Sequence, residues 1–310
     1  MKTLVLHHDD CLRHDPGVRH PEAPSRVSAV LNAVQNVPGT ELLPAPKASL
    51  EQIGRVHDAD YWQRLIEFEP EANKSKGDKI ALDPDTFLSS GSINAALRGS
   101  GAACFAVDQI FAGKSRNAFC VIRPPGHHAE VNRAMGFCLL NHVAVAARHA
   151  QATHAIKRVA ILDFDVHHGN GTQAIFERSP DVLYVSSHQM PLFPGTGQEN
   201  ERGCGNIFNL PLAEGSGSRD FRAAWSGRGL PALHEFQPEL VIISAGFDAH
   251  HRDPLAQLEL QDDDFAWITR EICSYAQSEC SGRVVSMLEG GYDLEALASA
   301  SHAHVEALCS

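Results

Sequence analysis

Two aspartates and two histidines fall within six residues in Asp163-Phe164-Asp165-Val166-His167-His168. Carboxylates and imidazoles at this density suit a divalent metal or acid–base chemistry. The stretch begins as an apolar run, Val159-Ala160-Ile161-Leu162, that reads as a buried strand. Residues two apart on a strand point to one face, so Asp163, Asp165 and His167 project together. Asp165 and His167 make half of a metal site, and Gly169 and Gly171 let the chain turn away after it. A third ligand is expected from Ser244-Ala245-Gly246-Phe247-Asp248, where Asp248 ends a second apolar run. His250, His251 and Asp253 are nearby alternatives. Two carboxylates and one imidazole leave a position open for water or substrate, the pattern of catalytic zinc.

Two further groups suit the same chemistry. His127 and His128 follow Pro124-Pro125-Gly126, a rigid loop with a close turn. An imidazole oriented by an acid or amide is the usual general base near neutral pH. Tyr292 follows Gly290 and Gly291. Its phenol stays protonated at neutral pH and can hydrogen-bond a carbonyl oxygen as charge develops there.

These groups need a scaffold. Apolar strands are expected at 3–7, 118–122, 158–164, 182–186, 240–245 and 283–288. Helices are expected at 26–37, 50–56, 58–69, 89–112, 139–153, 172–177, 220–236, 262–278 and 294–308, with a polar loop at 69–80. Continuously apolar strands alternating with helices mean a parallel sheet covered on both faces. In such sheets ligands gather at the carboxyl ends of the strands. The polar groups above, with Ser187-His188, sit at those ends. No repeat or linker composition interrupts the chain, so one domain over 1–310 is expected.

The 310 residues are 43% hydrophobic and 21% charged, as in a globular protein. A net charge of −12 and a pI near 5.8 argue against direct binding to nucleic acid or anionic membrane. The eight cysteines form no CxxC pair, which suits free thiols in a reducing compartment. With no signal peptide or membrane span in view, a cytoplasmic location is expected. Self-association stays open.

Taken together, Arg123-Pro124-Pro125-Gly126-His127-His128-Ala129, Met135-Gly136-Phe137-Cys138, Asp163 to Thr172, Phe193-Pro194-Gly195-Thr196-Gly197, Ser244 to Asp248 and Glu289-Gly290-Gly291-Tyr292 resemble the zinc-dependent histone deacetylase and acetylpolyamine amidohydrolase family. The Arg-Pro-Pro-Gly-His-His form and Asn170 look like its class II branch and bacterial relatives. The resemblance implies the three-layer arginase/deacetylase fold, with an eight-stranded parallel sheet between helices. It implies zinc on Asp165, His167 and Asp248. It makes His128 the general base and then acid, oriented by Asn170. His127 becomes its electrostatic partner, oriented by Asp163, and Tyr292 the polariser of the scissile carbonyl. Gly136, Phe137 and Phe193 would line a narrow tunnel.

The resemblance also implies a structural potassium on backbone oxygens of Asp163, Asp165 and His167 with Ser186 and Ser187. A second is implied near Phe176, Ser179 and Val182. Leu255 stands where polyamine-preferring relatives carry an acid, which favours acyl-lysine over acetylpolyamines as substrate. Asp83 or Asp85 would meet the substrate backbone at the rim, or serve only a turn. His20, Glu22 and Arg26 read as structural. A small-molecule N-acyl amidohydrolase, a non-catalytic acyl-lysine binder and an arginase-like manganese hydrolase are the competing readings.

Overall fold

Uninterrupted runs such as Leu240-Val241-Ile242-Ile243 are rich in β-branched residues and form strands buried on both faces. In the computed structural model, which describes residues 1–72 and 79–310, the strands are β1 (Thr3–His7), β2 (Thr40–Pro44), β3 (Lys79–Ala81), β4 (Phe87–Ser89), β5 (Asn117–Cys120), β6 (Val159–Asp163), β7 (Val182–Gln189), β8 (Ile207–Leu212), β9 (Leu240–Ala245) and β10 (Val284–Leu288). Eight of them form one sheet in the order β2-β1-β5-β10-β9-β6-β7-β8, with every pair parallel. β3 and β4 form a separate antiparallel hairpin.

The helices are α1 (Ser25–Val34), α2 (Leu50–Gly54), α3 (Ala59–Ala72), α4 (Ser92–Phe111), α5 (His142–His154), α6 (Asn170–Phe176), α7 (Ser218–Ala224), α8 (Leu230–Phe236), α9 (Asp262–Glu279) and α10 (Leu294–Cys309). α4 and α5 pack together on one face of the sheet, while α1, α10 and α9 pack together on the other. This is the expected three-layer arrangement. The small residues of α4 allow close approach: a Cβ at Gly101 would lie 2.1 Å from the Pro46 carbonyl oxygen.

Neither the β3–β4 hairpin nor two strands of the main sheet were expected, and those two lie at its edges. β2 is largely solvent-exposed and ends in Pro44, and β8 contains Pro211. Edge strands need only one buried flank and tolerate proline, so they lack the apolar run that marks the inner strands. The helix expected from 139 starts at His142, because the Asn141 side chain caps it by accepting from the Ala144 N–H. The segment 220–236 is broken by a π-helical turn at Trp225–Gly229. Of the polar loop expected at 69–80, residues 73–78 lie outside the described residues, while 69–72 end α3 and 79–80 begin β3. All eight cysteines are free. Among the described residues, no helix is long and apolar enough to cross a membrane.

Candidate active site

The loops after β5, β6, β9 and β10 meet at the carboxyl edge of the sheet. β6 stops at Asp163, yet its alternation continues: Phe164 and Val166 stay in the apolar core while Asp165 and His167 turn the other way. β9 lies beside β6, so Asp248 arrives at the same place. His167 Nδ1 is 3.2 Å from Asp165 Oδ1 and 3.1 Å from Asp248 Oδ2. The remaining carboxylate oxygens accept backbone N–H groups, Gly290 to Asp165 Oδ2 at 2.8 Å and Val166 to Asp248 Oδ1 at 2.9 Å. Burial disfavours a charged His167, but its bonds to Asp165 and Asp248 outweigh this and raise it to about 10.

One imidazole nitrogen cannot give a single proton to two carboxylates, whereas a divalent cation can take all three donors at once. The donor set therefore fits zinc. Glycines let the backbone close on it. A Cβ at Gly290 would lie 2.0 Å from Asp248 Oδ2, and one at Gly246 would lie 2.1 Å from Asp165 Oδ2.

His127 and His128 sit beside this cluster, with ring centroids 4.0 Å apart. His127 Nδ1 donates to Asp163 Oδ2 at 3.0 Å. Burial lowers its proton affinity, but the Asp165 and Asp163 carboxylates prevail and push it up to about 10. His128 is driven the other way. Burial, then the neighbouring His127 and His167, hold it well below the ordinary histidine value. Its tautomer follows from its partner. Asn170 Nδ2 donates to Glu130 Oε1 and Met135 Sδ, each at 3.2 Å, which turns Asn170 Oδ1 toward His128. His128 Nδ1 must then donate to that oxygen, at 2.8 Å. Its Nε2 keeps a free lone pair.

A cavity of about 210 Å³ opens onto these groups. Gly136, Phe137, Leu192, Phe193 and Leu255 form its apolar wall, His127, His128, His167 and Tyr292 its chemical end, and Asp85 part of its rim. The wall is shaped by backbone. Gly136 has φ +54°, and a Cβ there would strike the His128 ring at 2.4 Å. Phe137 also has positive φ, +69°, a conformation a side-chain-bearing residue holds only when its surroundings impose it. The Phe137 N–H donates to Thr86 Oγ1.

Residues 20–308 match the histone deacetylase domain. The chain belongs to the histone deacetylase family. It is 40% identical to the histone deacetylase-like amidohydrolase of Pseudomonas aeruginosa over 88% of this chain and 71% of that one. It is 36% identical to the type-2 histone deacetylase 2 of Dictyostelium discoideum over 99% of its own length, but spans only 21% of that longer protein. The crystal structure of the HDA15 HD domain superposes with a TM-score of 0.91 at 34% identity, covering 99% of this chain and 90% of that one. The chain is therefore a hydrolase of the histone deacetylase-like amidohydrolase type with the arginase/deacetylase fold.

Within this histone deacetylase fold, several residues acquire contacts that their sequence positions did not announce. Arg26 lies 4.9 Å over the Tyr292 ring, pairs with Glu22, and donates to the carbonyls of Gly291 and Glu289. Glu289 is buried, and its Oε2 accepts the N–H groups of Gly126 at 2.6 Å and His127 at 3.2 Å, tying the histidine loop to the tyrosine loop. Asp253, an alternative third ligand in the sequence, instead accepts the N–H groups of Tyr292 and Leu255. His250 points away, toward Asp262. Asp83 serves a turn, accepting from Asp85 and Thr86, which leaves Asp85 at the rim. Near Phe176, Ser179 and Val182, the residues named for a second potassium, three backbone carbonyls converge and lie 2.7 to 3.0 Å from Asn206 Nδ2.

Proposed function

We propose that this chain hydrolyses the amide of acylated lysine, in proteins or peptides, with one zinc ion held by Asp165, His167 and Asp248. The observation that carries the reading is the narrow apolar cavity whose inner end holds a neutral, oriented His128, the donor Tyr292 and the three-donor cluster. Zinc in that cluster supplies Lewis acidity toward the amide carbonyl and makes a water easier to deprotonate. His128 Nε2, with its free lone pair, takes the water proton during attack on the carbonyl carbon. Asn170 holds the imidazole for that transfer. Tyr292 donates its phenol hydrogen bond to the oxygen on which negative charge develops. His128 then returns the proton to the leaving nitrogen, because an amine anion does not leave unprotonated. The C–N bond breaks, and carboxylate and free amine result. His127, pinned by Asp163, keeps His128 neutral before attack.

Leu255 on the cavity wall supports acyl-lysine over a polyamine, since a cationic substrate stem gains nothing from an apolar gate. Asp85 is placed to accept an N–H of the substrate backbone. The partners in this reading are acylated peptides or proteins rather than nucleic acid or membrane. One structural potassium belongs to it, on backbone oxygens of Asp163, Asp165 and His167 with Ser186 and Ser187. The carbonyls of Asp165 and His167 accept no hydrogen bond among the described residues, which suits that role.

The test is a panel of acetyl-, trifluoroacetyl- and longer acyl-lysine peptides and N8-acetylspermidine, with and without a zinc chelator. Chelator-sensitive release of free lysine, with acetylspermidine slower, is expected. Activity that survives complete metal removal, or a preference for acetylspermidine, would overturn the reading. No turnover of any acyl amide, with zinc bound, would favour the acyl-lysine binder instead.

A further inference from the structure

We propose that Glu130 is the charged end of a three-residue relay, Glu130–Asn170–His128, in which a carboxylate acts on the general base through an intervening amide. The relay rests on the deacylase reading and names a positioning residue within it. A neutral amide supports an imidazolium less well than a carboxylate, and Asn170 alone is the contact to His128 Nδ1. Behind it, Asn170 Nδ2 donates to Glu130 Oε1 at 3.2 Å. The amide then carries polarisation from the carboxylate to the imidazole, as hydrogen bonds in series reinforce one another. It also carries orientation. An amide can turn over and present either its oxygen or its nitrogen, and only Glu130 and the weak acceptor Met135 Sδ fix which. Turned over, Asn170 would donate to His128 Nδ1, move the imidazole proton to Nε2 and remove the lone pair the reaction needs.

The backbone is built to hold the three together. The Glu130 N–H donates to the Arg133 carbonyl, closing a turn that aims the side chain. Ala129 lies hard against the first turn of α6. A Cβ at Gly171, next to Asn170, would meet the Ala129 carbonyl oxygen at 2.3 Å. Glycine at 171 is what brings the Glu130 segment within reach of Asn170.

The experiment is a double-mutant cycle of Glu130→Gln and Asn170→Asp, with Glu130→Ala beside it, read as kcat and KM on the best acyl-lysine peptide for the unmutated enzyme. Zinc content is checked in each. Glu130 is half-buried, and the melting temperature of each variant is measured to show that it folds. Glu130→Gln keeps an acceptor oxygen and is expected to lower kcat only about 3-fold. Glu130→Ala frees the amide and is expected to lower kcat roughly 10- to 100-fold with KM within about 2-fold, because a wrong imidazole tautomer disables a general base. Asn170→Asp sets two carboxylates against each other, and adding Glu130→Gln replaces that repulsion with a hydrogen bond. The sign of Glu130→Gln therefore reverses: it slows the unmutated enzyme and speeds the Asn170→Asp enzyme.

Equal effects of Glu130→Gln in both backgrounds would overturn the relay. So would Glu130→Ala with unchanged kcat. A readout free of turnover separates this from failure of the deacylase reading. ¹⁵N shifts of the His128 ring, assigned with His128→Gln, should show one tautomer with Nε2 unprotonated. That tautomer should be lost in Glu130→Ala. A single unchanged tautomer in the variant would sink the relay whatever the substrate proves to be.

Discussion

Among the described residues, two places bring three Asp and His donors within 4.8 Å of one another. One is Asp165, His167 and Asp248, and the other is Asp108, His149 and His154 between α4 and α5. Their donor types are nearly the same, but their protons and charges differ. In the first, two carboxylates converge on one imidazole nitrogen in full burial. In the second, one carboxylate oxygen, Asp108 Oδ1, accepts from two imidazoles, His149 Nε2 at 2.8 Å and His154 Nε2 at 2.7 Å. Arg55, which has no lone pair, lies 2.8 Å from His149 Nδ1, so that nitrogen is an acceptor and the ring proton is on Nε2, facing Asp108. His149 has no lone pair left for an ion there. His154 stacks on Phe111. A shared list of donors does not make a metal site; excess negative charge and free lone pairs do.

The largest expected effect tests that distinction directly. Asp248→Asn is expected to lose zinc and to cut kcat/KM by more than ~10³-fold, more than one lost oxyanion donor costs. Asp108→Asn should leave one zinc per chain, measured by elemental analysis, and kcat/KM unchanged. Two zinc ions per chain in the unmutated protein, with one lost in Asp108→Asn, would break the comparison. What faces each cluster differs too: a phenol and an imidazole face the first. Tyr292→Phe should therefore keep its zinc and lower kcat by roughly 10²-fold, the scale of one donor to a developing oxyanion. Near-normal turnover in that variant would remove Tyr292 from the chemistry.

Charge sharpens the contrast further. His128 must be neutral to accept a proton, and burial with a charged His127 holds its folded value well below the usual histidine range. The kcat/KM profile is thus expected to stay level through neutral pH and to fall only well below ~6.5. His127→Gln removes a like charge, so His128 takes its proton more readily and the acid limb moves up by about one unit. His149→Gln should leave the limb where it was. A downward shift in His127→Gln would contradict this account of the pair.

The first cluster was legible in the sequence because its logic is local. The Asp163, Asp165 and His167 alternation is a period-2 pattern, and Asp248 and Tyr292 are placed by the rule that loops of a parallel sheet gather at its carboxyl edge. The second cluster and the supporting contacts were not legible. Glu289 reaches Gly126 only because β10 and β5 are sheet neighbours, although 163 residues separate them. Arg26 reaches Gly291 across 265 residues. Strand order is set by packing of whole layers, and no window of sequence carries it. The edge strands escaped for local reasons: β2 is too exposed to leave an apolar run, and Asn209 and Pro211 interrupt the run of the largely buried β8.

The smallest expected effect belongs to the second cluster, where structure rather than chemistry is at stake. Asp108 joins α4 to the end of α5 through two histidines, and its side chain is 40% exposed. Water therefore competes for both bonds, and the net contribution is that of partly solvated hydrogen bonds, about 1 kcal/mol. Asp108→Asn should lower the melting temperature by roughly 2 °C in a chain of this length. Removing zinc from the first cluster should lower it by more, because an ion that binds the folded chain and not the unfolded one stabilises the fold. If melting fell further in Asp108→Asn than on zinc removal, the roles assigned to the two clusters would have to be exchanged: the surface triad would be holding an ion, and the buried one would be stable on its own hydrogen bonds.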